Sequence, residues 1–273
     1  MFDQITPVIL TYNEAPNIGR TLDRLNWARD IVVVDSFSDD ETLKIISCDP
    51  RVRVFQRAFD SFAGQWSFAA NETGISTEWI LTLDADFLIT DELLEELSAL
   101  APSEKTSGYK IPLTYCIQGR RLRSSLLPSL TLLHRRARAD FLADGHTYRL
   151  VLEGQIECLQ ESILHDDRKP FRRWLDAQKK YTVLEGNKLL EADWETLRHA
   201  DRIRRLRVVA PLAVFLYCLV YRAGILDGWA GLYYAFQRML VEVLLSLYLL
   251  GKDFRLTGKR FVPSSFRPKR LGN

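Results

Sequence analysis

Cysteine is scarce in this chain, and the four cysteines lie far apart along it. No two of them form a Cys-x-x-Cys pair, so neither a zinc site nor a small disulfide framework is indicated. We expect these side chains to be buried, reduced thiols of an intracellular protein. They are Cys48, Cys116, Cys158 and Cys218.

Two further features are absent. The N-terminus, "MFDQITPVILTYNEA", has no basic segment before an apolar run, and Asn13 and Glu14 interrupt that run early, so no signal peptide is predicted. Internal repeats and low-complexity segments are also lacking, which argues against a repeat architecture. With 47% hydrophobic and 26% charged residues, the 273-residue composition is that of one large domain, or of one domain with an appendage.

Charge is distributed unevenly along the chain. Residues 1–100 contain 7 Lys and Arg against 18 Asp and Glu, whereas residues 101–273 contain 30 against 17. This asymmetry suggests that the two parts face different partners, and a basic surface fits an anionic membrane or a nucleic acid. Few aromatic residues interleave the arginines of 198–207, so nucleic acid is not predicted as a partner.

The first hundred residues alternate between strand-like and helix-like segments. Apolar, often β-branched runs occur at 6–12, 30–36, 51–57 and 79–86, and helical periodicity follows each, first over 13–27. This alternation predicts an α/β fold with a largely parallel sheet and helices on both faces. In such sheets ligands bind outside the carboxyl ends of the strands.

The rest of the chain changes character twice. Residues 108–165 contain short strand-like pieces separated by turns, which we expect to complete a mixed sheet and to form a second wall of the cleft. From about residue 170 the pattern is helical. We therefore predict a catalytic or binding domain over 1–168 and a helical region over 169–273.

Two apolar segments occur in the helical region. Residues 208–221 would extend about 21 Å as a helix, short of the roughly 30 Å hydrocarbon core. Residues 229–250 are long enough to span, but Arg238 and Glu242 near the centre oppose insertion. Basic residues flank the segments: Arg202, Arg204, Arg205 and Arg207 before them, and Lys259, Arg260, Arg267, Lys269 and Arg270 after them. We expect association with an anionic membrane surface rather than a simple span, the alternative being a soluble subdomain with a solvated basic face.

Two carboxylates, Asp84 and Asp86, end the apolar run "WILTLDAD" at 79–86. Residues two apart share a face of an extended chain, where like charges repel. A hard cation such as Mg²⁺ or Mn²⁺ removes the repulsion and often combines one or two carboxylates with substrate phosphates. The alternative is a solvated strand end, followed by Thr90 or Asp91 as the cap of the next helix.

Three motifs in order give the pair a context: "VILTYNEAPNI" at 8–18, "IVVVDSFSDDET" at 31–42 and "LTLDAD" at 81–86. Together they resemble the motifs of family 2 glycosyltransferases with the GT-A fold, a Rossmann-like mixed sheet. The later segments "ARADFLADGHTYRL", "ESILHDD" and "WLDAQKKYTVLEGNKL" resemble the branch that contains lipopolysaccharide-core glucosyltransferases. The resemblance covers roughly residues 5–240. It implies transfer of a sugar, with inversion, from a nucleotide-diphosphate donor.

The resemblance also implies roles for individual residues. Those whose backbone would border the nucleotide are Thr11, Tyr12, Asn13 and Glu14. Asp35 would hydrogen-bond the base, typically uracil, because a carboxylate accepts the ring N–H. Asp84 would lie near the ribose and the metal, and Asp86 would bind the Mg²⁺ or Mn²⁺ that bridges the diphosphate.

Inversion requires a base that takes the proton of the acceptor hydroxyl. The related branch has a His-Glu pair on a loop after the sheet, whereas here Thr147 follows His146. Asp144 is the nearest carboxylate, so Asp144 and His146 are both candidates for the catalytic base. His165 is a candidate metal ligand or diphosphate contact, or a structural histidine that caps the following helix.

Other residues depart from the resemblance. Phe37 stands where the second motif usually has glycine, and Trp66 and Ser67 stand where the branch tends to have Arg and Asn. These differences suggest a different choice of nucleotide or sugar.

Three functions fit the sequence. The leading one is a membrane-associated glycosyltransferase on the cytoplasmic face of the inner membrane, with a lipid-linked saccharide such as lipopolysaccharide core as acceptor. A second is synthesis of a polyprenyl-phosphate sugar, with Arg120, Arg121 and Arg123 as candidate contacts of the acceptor phosphate. A third is an inactive nucleotide-sugar-binding or scaffold protein, because the glutamate after His146 is missing. The sequence does not indicate an oligomeric state.

Overall fold

The computed structural model describes residues 1–144 and 147–258, with side chains to residue 253. The strands are β1 Ile5–Thr11, β2 Ile31–Asp35, β3 Val52–Gln56, β4 Trp79–Asp84, β5 Phe87–Leu88, β6 Thr106–Ile111, β7 Leu113–Ile117, β8 Arg120–Arg121, β9 Leu130–Arg135, β10 Ala139–Asp144, β11 Thr147–Leu152, β12 Gln155–Cys158 and β13 Ile163–His165. The α-helices are α1 Ile18–Asp23, α2 Thr42–Ser47, α3 Phe62–Glu72, α4 Asp91–Ala99, α5 Phe171–Glu191, α6 His199–Arg205, α7 Ala210–Leu216 and α8 Gly228–Gly258.

The central sheet has seven strands in the order β12-β6-β9-β4-β1-β2-β3. The four strands β1 to β4 are all parallel to one another. β9 runs antiparallel to both of its neighbours, β4 and β6. The predicted mixed α/β sheet is therefore confirmed. Its parallel half brings the carboxyl ends of β1, β2 and β4 to one edge.

Both faces of β1, β2 and β4 are buried, whereas the edge strand β3 is partly exposed. Ile9, Val33 and Leu83 lie in one apolar cluster with residues of α1, α2 and α4. Val8 and Val32 point the other way and contact α3. Strands covered on both faces need apolar residues at nearly every position. Burial on both faces therefore explains the near-continuous apolar run of β2, "IVVVD".

A second sheet and a hairpin stand beside the central sheet. The second sheet has the order β5-β13-β7-β8, and β10 pairs with β11 as a separate antiparallel hairpin. Trp66 of α3 is buried against Phe141 and Tyr148 of that hairpin, with ring centroids 6.4 and 6.0 Å away. Trp66 therefore holds the hairpin on the domain as part of the core.

Helices α5 to α8 form the C-terminal region. Leu189 of α5 packs with Leu245 and Leu249 of α8, while Tyr234 and Ala235 of α8 pack with a cluster that includes β7 residues. α8 is the one described helix long and apolar enough to cross a membrane by length and composition. It is also fastened at both ends to the rest of the protein.

Some predictions about local structure are wrong. The first helix is α1, Ile18–Asp23, shorter than the predicted 13–27, because residues 12–17 form the loop that leaves β1. Cys116 and Cys218 are buried as expected, but Cys48 and Cys158 are exposed. Cys158 is exposed because it ends β12, the edge strand of the central sheet.

Candidate active site

Three acidic or hydroxyl side chains end adjacent parallel strands. Thr11 pairs in register with Asp35, and Leu10 pairs with Asp84 on the other side of β1. The Thr11 hydroxyl donates to Asp35 Oδ1 at 2.8 Å, and Ser38 N donates to Asp35 Oδ2 at 2.8 Å. Asp35 is fully buried, so its carboxylate also holds the loop after β2 in place.

The loops after β1 and β2 are joined to each other. Asn13 N donates to Ser38 Oγ at 2.7 Å, and Glu14 N donates to Thr42 Oγ1 at 2.6 Å. Asn13 and Phe37 have φ of 58° and 59°, a left-handed conformation that is costly for a residue with a side chain. Such strain persists where the surrounding bonds over-determine it, and it is concentrated at ligand-binding sites.

Two aromatic rings are left exposed at this joined pair of loops. Tyr12 is 54% exposed and Phe37 is 55% exposed, although each adjoins a buried strand end. Exposed rings with fixed backbones provide flat surfaces on which a nucleobase can stack. The position of Phe37 also explains why glycine suits its place in the motif, since glycine adopts positive φ without strain.

Asp84 and Asp86 lie beyond the end of β4 in different surroundings. Asp86 is buried, and its Oδ1 has no hydrogen-bond partner among the described residues. The Asp84 side chain is reached by solvent, which places it in the wall of a cleft rather than in the core. Thr90, not Asp91, caps α4 by accepting from Leu93 N, and β5 separates this cap from the pair. The pair is therefore not part of a helix cap.

Two cations face the carboxylates. His165 Nε2 lies 3.2 Å from Asp86 Oδ2, and Lys169 Nζ lies 3.8 Å from the same oxygen. Lys169 also donates to both oxygens of Glu14, at 2.8 and 2.9 Å. His165 does not cap the following helix, since Pro170 precedes α5 and makes no side-chain cap bond.

The pKa values of these groups follow from their burial and neighbours. Solvent reaches the Asp84 carboxylate only from the cleft, so desolvation by the surrounding protein and the Asp86 charge raise its pKa. His165 and Lys169 overcome burial and lower the pKa of Asp86. Burial opposes a charge on His165, but Asp86 and Asp84 raise the pKa of its imidazole to about 9. Burial, opposed by Lys169 and reinforced by Asp86, raises the pKa of Glu14 to about 7. The carboxylates of the cleft thus keep His165 protonated beside Asp86.

The donor set fits a hard divalent cation that shares its coordination with a ligand. Asp84 and Asp86 supply carboxylate oxygens, and the unpartnered Asp86 Oδ1 is an acceptor without a donor. Within the described residues, no group of three or more His, Cys, Asp or Glu is arranged to hold a metal ion alone. A hard cation such as Mg²⁺ often takes one or two carboxylates from the protein and the remaining oxygens from phosphates and water.

Several residues of the site were not predicted from the sequence. Arg173 of α5 donates to Tyr12 O at 2.8 Å and to Asn13 O at 2.5 Å, which fixes the loop after β1 from outside. Asn17 bonds Asp167, and Arg20 bonds Asp166 at 2.8 Å, so α1 is fastened to the segment after β13. The only sequence signal was the charged run "HDDRKPFRR" at 165–173.

Asp144 ends β10 at the tip of the hairpin, where it pairs with Thr147. Burial and the Asp84 charge raise the pKa of Tyr148, the residue after Thr147. In the hairpin Tyr148 stands opposite Ala143, so Asp144 lies on the other face from Tyr148, and its role as the base stays a prediction. His146 lies outside the described residues.

Comparison with known proteins agrees with this arrangement. A sequence model of glycosyl transferase family 2 matches residues 6–149. An uncharacterized glycosyltransferase of Rickettsia bellii is 36% identical over 39% of this chain and 35% of its own length. The chain therefore spans about a third of that relative. The lipopolysaccharide core biosynthesis glycosyltransferase LpsC of Rhizobium meliloti is 24% identical over 85% of this chain and 89% of its own.

Among solved structures, TarS 1-349 of S. aureus in complex with UDP-GlcNAc is similar over 91% of this chain and 92% of its own, at 16% identity and a TM-score of 0.49. That likeness is remote. The family match covers more than half of the chain and contains all three strand ends of the site. The chain belongs to glycosyl transferase family 2.

Proposed function

We propose that the protein transfers a sugar, with inversion, from a nucleotide-diphosphate donor to a lipid-linked saccharide. The observation that carries the proposal is the Asp84–Asp86 pair, which lies beside the joined loops after β1 and β2. A nucleotide pocket and a cation site on one sheet edge match a ligand that has a base at one end and a diphosphate at the other.

The donor is a UDP-sugar in this proposal. Thr11, Tyr12, Asn13 and Glu14 border the nucleotide, and Tyr12 provides an exposed ring. Thr11 and the Ser38 hydroxyl both donate to Asp35 Oδ1, and Ser38 N donates to Oδ2. Asp35 accepts the N–H of uracil through the remaining lone pair of Oδ2, since each carboxylate oxygen can accept two bonds.

Asp84 and Asp86 hold Mg²⁺ or Mn²⁺. When bound, that cation neutralises the negative charge that develops on the departing nucleotide diphosphate. His165 and Lys169 stand beside Asp86 and keep it ionised, so a ligand oxygen remains available at the pH of the cell.

Asp144 or His146 takes the proton of the acceptor hydroxyl. As that O–H bond breaks, the acceptor oxygen forms a bond to the anomeric carbon, and the bond from that carbon to the diphosphate oxygen breaks. The nucleotide diphosphate leaves with the electron pair, and one displacement inverts the anomeric centre.

Asp144→Asn tests the choice of base. Donor binding should be unchanged, while transfer should fall by about 10²–10⁴-fold, the usual contribution of a general base. Asp140→Asn, on the same strand, serves as the control and should retain activity. Transfer by Asp144→Asn at the wild-type rate would assign the proton to His146 or to another group.

The acceptor is proposed to be a lipid-linked saccharide at the cytoplasmic face of the inner membrane. Its support is the near full-length similarity to LpsC and the exposed apolar residues of the C-terminal helices. An acceptor anchored in a bilayer favours an enzyme that binds the bilayer surface.

Calorimetry with UDP and Mn²⁺ tests the donor site. Asp84→Ala and Asp86→Ala should each abolish metal-dependent UDP binding without unfolding the protein. Asp3→Ala is the matched control, since Asp3 is exposed and paired with Arg29. Unchanged UDP–Mn²⁺ binding in both site variants would disprove the assignment. Metal-dependent hydrolysis of a UDP-sugar by the wild type would exclude an inactive binding protein.

Synthesis of a polyprenyl-phosphate sugar is a second candidate. The observation in its favour is the exposure of Arg120, Arg121 and Arg123 on and beside β8, next to an apolar groove. Incubation with a radiolabelled UDP-sugar and polyprenyl phosphate, followed by mild acid, distinguishes the two. An acid-labile labelled lipid indicates this second function, whereas label on an added saccharide acceptor indicates the first.

A further inference from the structure

An exposed apolar stripe runs along α7 and the helical turn that continues it to Tyr221. Leu212, Leu216 and Val220 recur at helical spacing and are 65, 57 and 68% exposed. The opposite side of this segment is packed on α8, through Val214 of α7 and Cys218 of the following turn. The helix is therefore folded against the protein, and only this one side is exposed. Apolar residues that follow one face of a helix and meet no protein mark an interaction surface.

The stripe continues around the connection between α7 and α8. Ile225 and Leu226, in the turn Gly224–Asp227, are 66 and 67% exposed, and Trp229 at the start of α8 is 81% exposed. We call Leu212, Leu216, Val220, Ile225, Leu226 and Trp229 the docking face.

The exposed turn is held rigidly by its polar side. The Asp227 side chain is 6% exposed and accepts from Arg123 N at 2.9 Å and Ser124 N at 3.2 Å, which fastens the turn to the segment after β8. The Cβ of an alanine at Gly231 would collide with Gly224 O, so the first turn of α8 lies directly against this connection. A fixed turn presents Ile225 and Leu226 outward without an entropic cost on binding.

Positive charge borders the docking face. Arg120, Arg121, Arg123 and Arg222 are all exposed, and the same segment that contains the first three binds the turn through Asp227. A groove of about 550 Å³ between β8 and α8 joins the two surfaces, with Arg120 at one side and Trp229 and Phe236 at the other. Apolar and indole side chains beside arginines match the acyl boundary and the anionic headgroups of a bilayer.

The contacts of α8 argue against its crossing a bilayer. Glu242, at its centre, is 4% exposed and binds Arg204 of α6 at 2.8 Å. Leu245 and Leu249 of the same helix pack on α5. Insertion across the membrane would break the ion pair and expose these contacts, whereas binding through the docking face leaves both intact.

We propose that the docking face lies on an anionic phospholipid bilayer, with Ile225, Leu226 and Trp229 in the headgroup–acyl boundary and the arginines of β8 on lipid phosphates. The proposal deepens the proposed function, because it names the surface through which the enzyme meets a membrane-anchored acceptor. A second copy of the chain suits this face less well, since a two-fold contact through it would bring two arginine borders together.

Ring contacts connect α8, the helix that carries Trp229, to the active site. Tyr115 of β7 lies 5.1 Å from Tyr234 of α8 and 5.1 Å from His165, measured between ring centroids. His165 in turn contacts Asp86. Tyr115 and His165 therefore separate the helix that carries Trp229 from Asp86, a short path between the proposed membrane surface and the cation site.

Flotation with vesicles tests the proposal. The wild type should float with phosphatidylcholine–phosphatidylglycerol vesicles at low salt, and less at high salt because the arginine contribution is screened. The variant Ile225→Asp/Leu226→Asp should lower the partition coefficient by about tenfold or more, since charged side chains replace apolar ones at the boundary. Arg120→Gln/Arg121→Gln/Arg123→Gln should weaken binding to anionic vesicles and leave the weak binding to pure phosphatidylcholine unchanged.

Matched controls separate the docking face from apolar exposure in general. Phe59 and Leu130 are 53 and 38% exposed elsewhere on the protein, so Phe59→Asp and Leu130→Asp should float like the wild type. Brominated lipids should quench tryptophan fluorescence in the wild type and much less in Trp229→Phe. UDP–Mn²⁺ calorimetry on every variant reports folding and the donor site independently of the membrane.

The outcomes are distinct. Wild-type protein that stays at the bottom at low salt overturns the docking face, as does an Ile225→Asp/Leu226→Asp variant that floats normally. A dimer in light scattering that this variant dissociates would assign the face to self-association instead. If the wild type binds the donor but does not float, the docking face is refuted and the proposed transferase function is not. If it floats but does not bind the donor, the proposed function is refuted and the docking face is not.

Discussion

Asp84 and Asp86 are two residues apart, but their surroundings give them different properties. Asp86 is buried against His165 and Lys169, which keep it ionised, while Asp84 reaches solvent and has a raised pKa. Asp86 is therefore ionised by its protein neighbours, whereas a bound cation would favour the ionised form of Asp84. The pattern of the two carboxylates was visible in the sequence, but this difference depends on residues about eighty positions away.

Replacing Arg173 should weaken binding of the nucleotide-sugar donor, although Arg173 does not contact Asp84 or Asp86. It donates to the carbonyls of Tyr12 and Asn13, and a hydrogen bond from a charged donor contributes about 1.5–3 kcal/mol. Arg173→Ala should therefore weaken UDP–Mn²⁺ binding by about tenfold or more in calorimetry. Arg172→Ala, on the exposed neighbour, should bind like the wild type. Equal affinities of both variants would show that the loop after β1 is held without Arg173.

At the scale of elements, strand and helix order in the first hundred residues is well predicted from sequence. The β-branched run at 31–34 has a face buried under α3 and another under α1 and α2, which apolar periodicity can indicate. The residue at which α1 begins could not be predicted in the same way. Residues 12–17 have helical character in isolation, but their backbone donors bind Ser38 and Thr42 instead.

Two glycine substitutions test whether the start of α8 packs against the turn Gly224–Asp227 that precedes it. Gly231→Ala should lower the free energy of unfolding because its Cβ would meet the backbone oxygen of Gly224, which cannot move aside as a side chain can. Gly251→Ala, in the same helix, should raise it by up to about 1 kcal/mol, since nothing lies near that Cβ and alanine favours helix. Urea denaturation of both variants measures the two opposite effects. A neutral or stabilising Gly231→Ala would mean that α8 does not touch the turn.

At the scale of the whole molecule, the charge asymmetry of the sequence has a structural explanation. The acidic first part contributes Glu14, Asp84 and Asp86, and the basic second part contributes Lys169 and Arg173, which bind the same edge of the sheet. The site is completed only when residues from both sides of position 168 meet. Surplus arginines of the second part border the docking face.

The buried ion pair of α8 distinguishes a packed helix from a spanning one. Glu242→Ala should lower the free energy of unfolding by about 2 kcal/mol, because Arg204 would lose its main partner in a mostly buried position and keep only Asp201 and Glu185. Arg204 is 25% exposed, so the loss should be smaller than for a fully buried pair. If α8 spanned a bilayer instead, removing the charge would increase membrane insertion and leave solution stability unaffected. Thermal unfolding without vesicles, with Glu191→Ala at an exposed position as a comparison variant, separates the two outcomes.

By itself, the sequence determined the alternation of strands and helices, the carboxylates at the ends of β2 and β4, and the amphipathic tail. Each of these follows from periodicity or from neighbouring residues, which act within a few positions of the chain. Only the tertiary structure decided that Lys169 and Arg173 belong to the site, that Trp66 supports the hairpin of Asp144, and that Glu242 pairs with Arg204. Those contacts join residues tens to more than a hundred positions apart, and no local pattern encodes such a distance, because it is set by how the helices pack on the sheet.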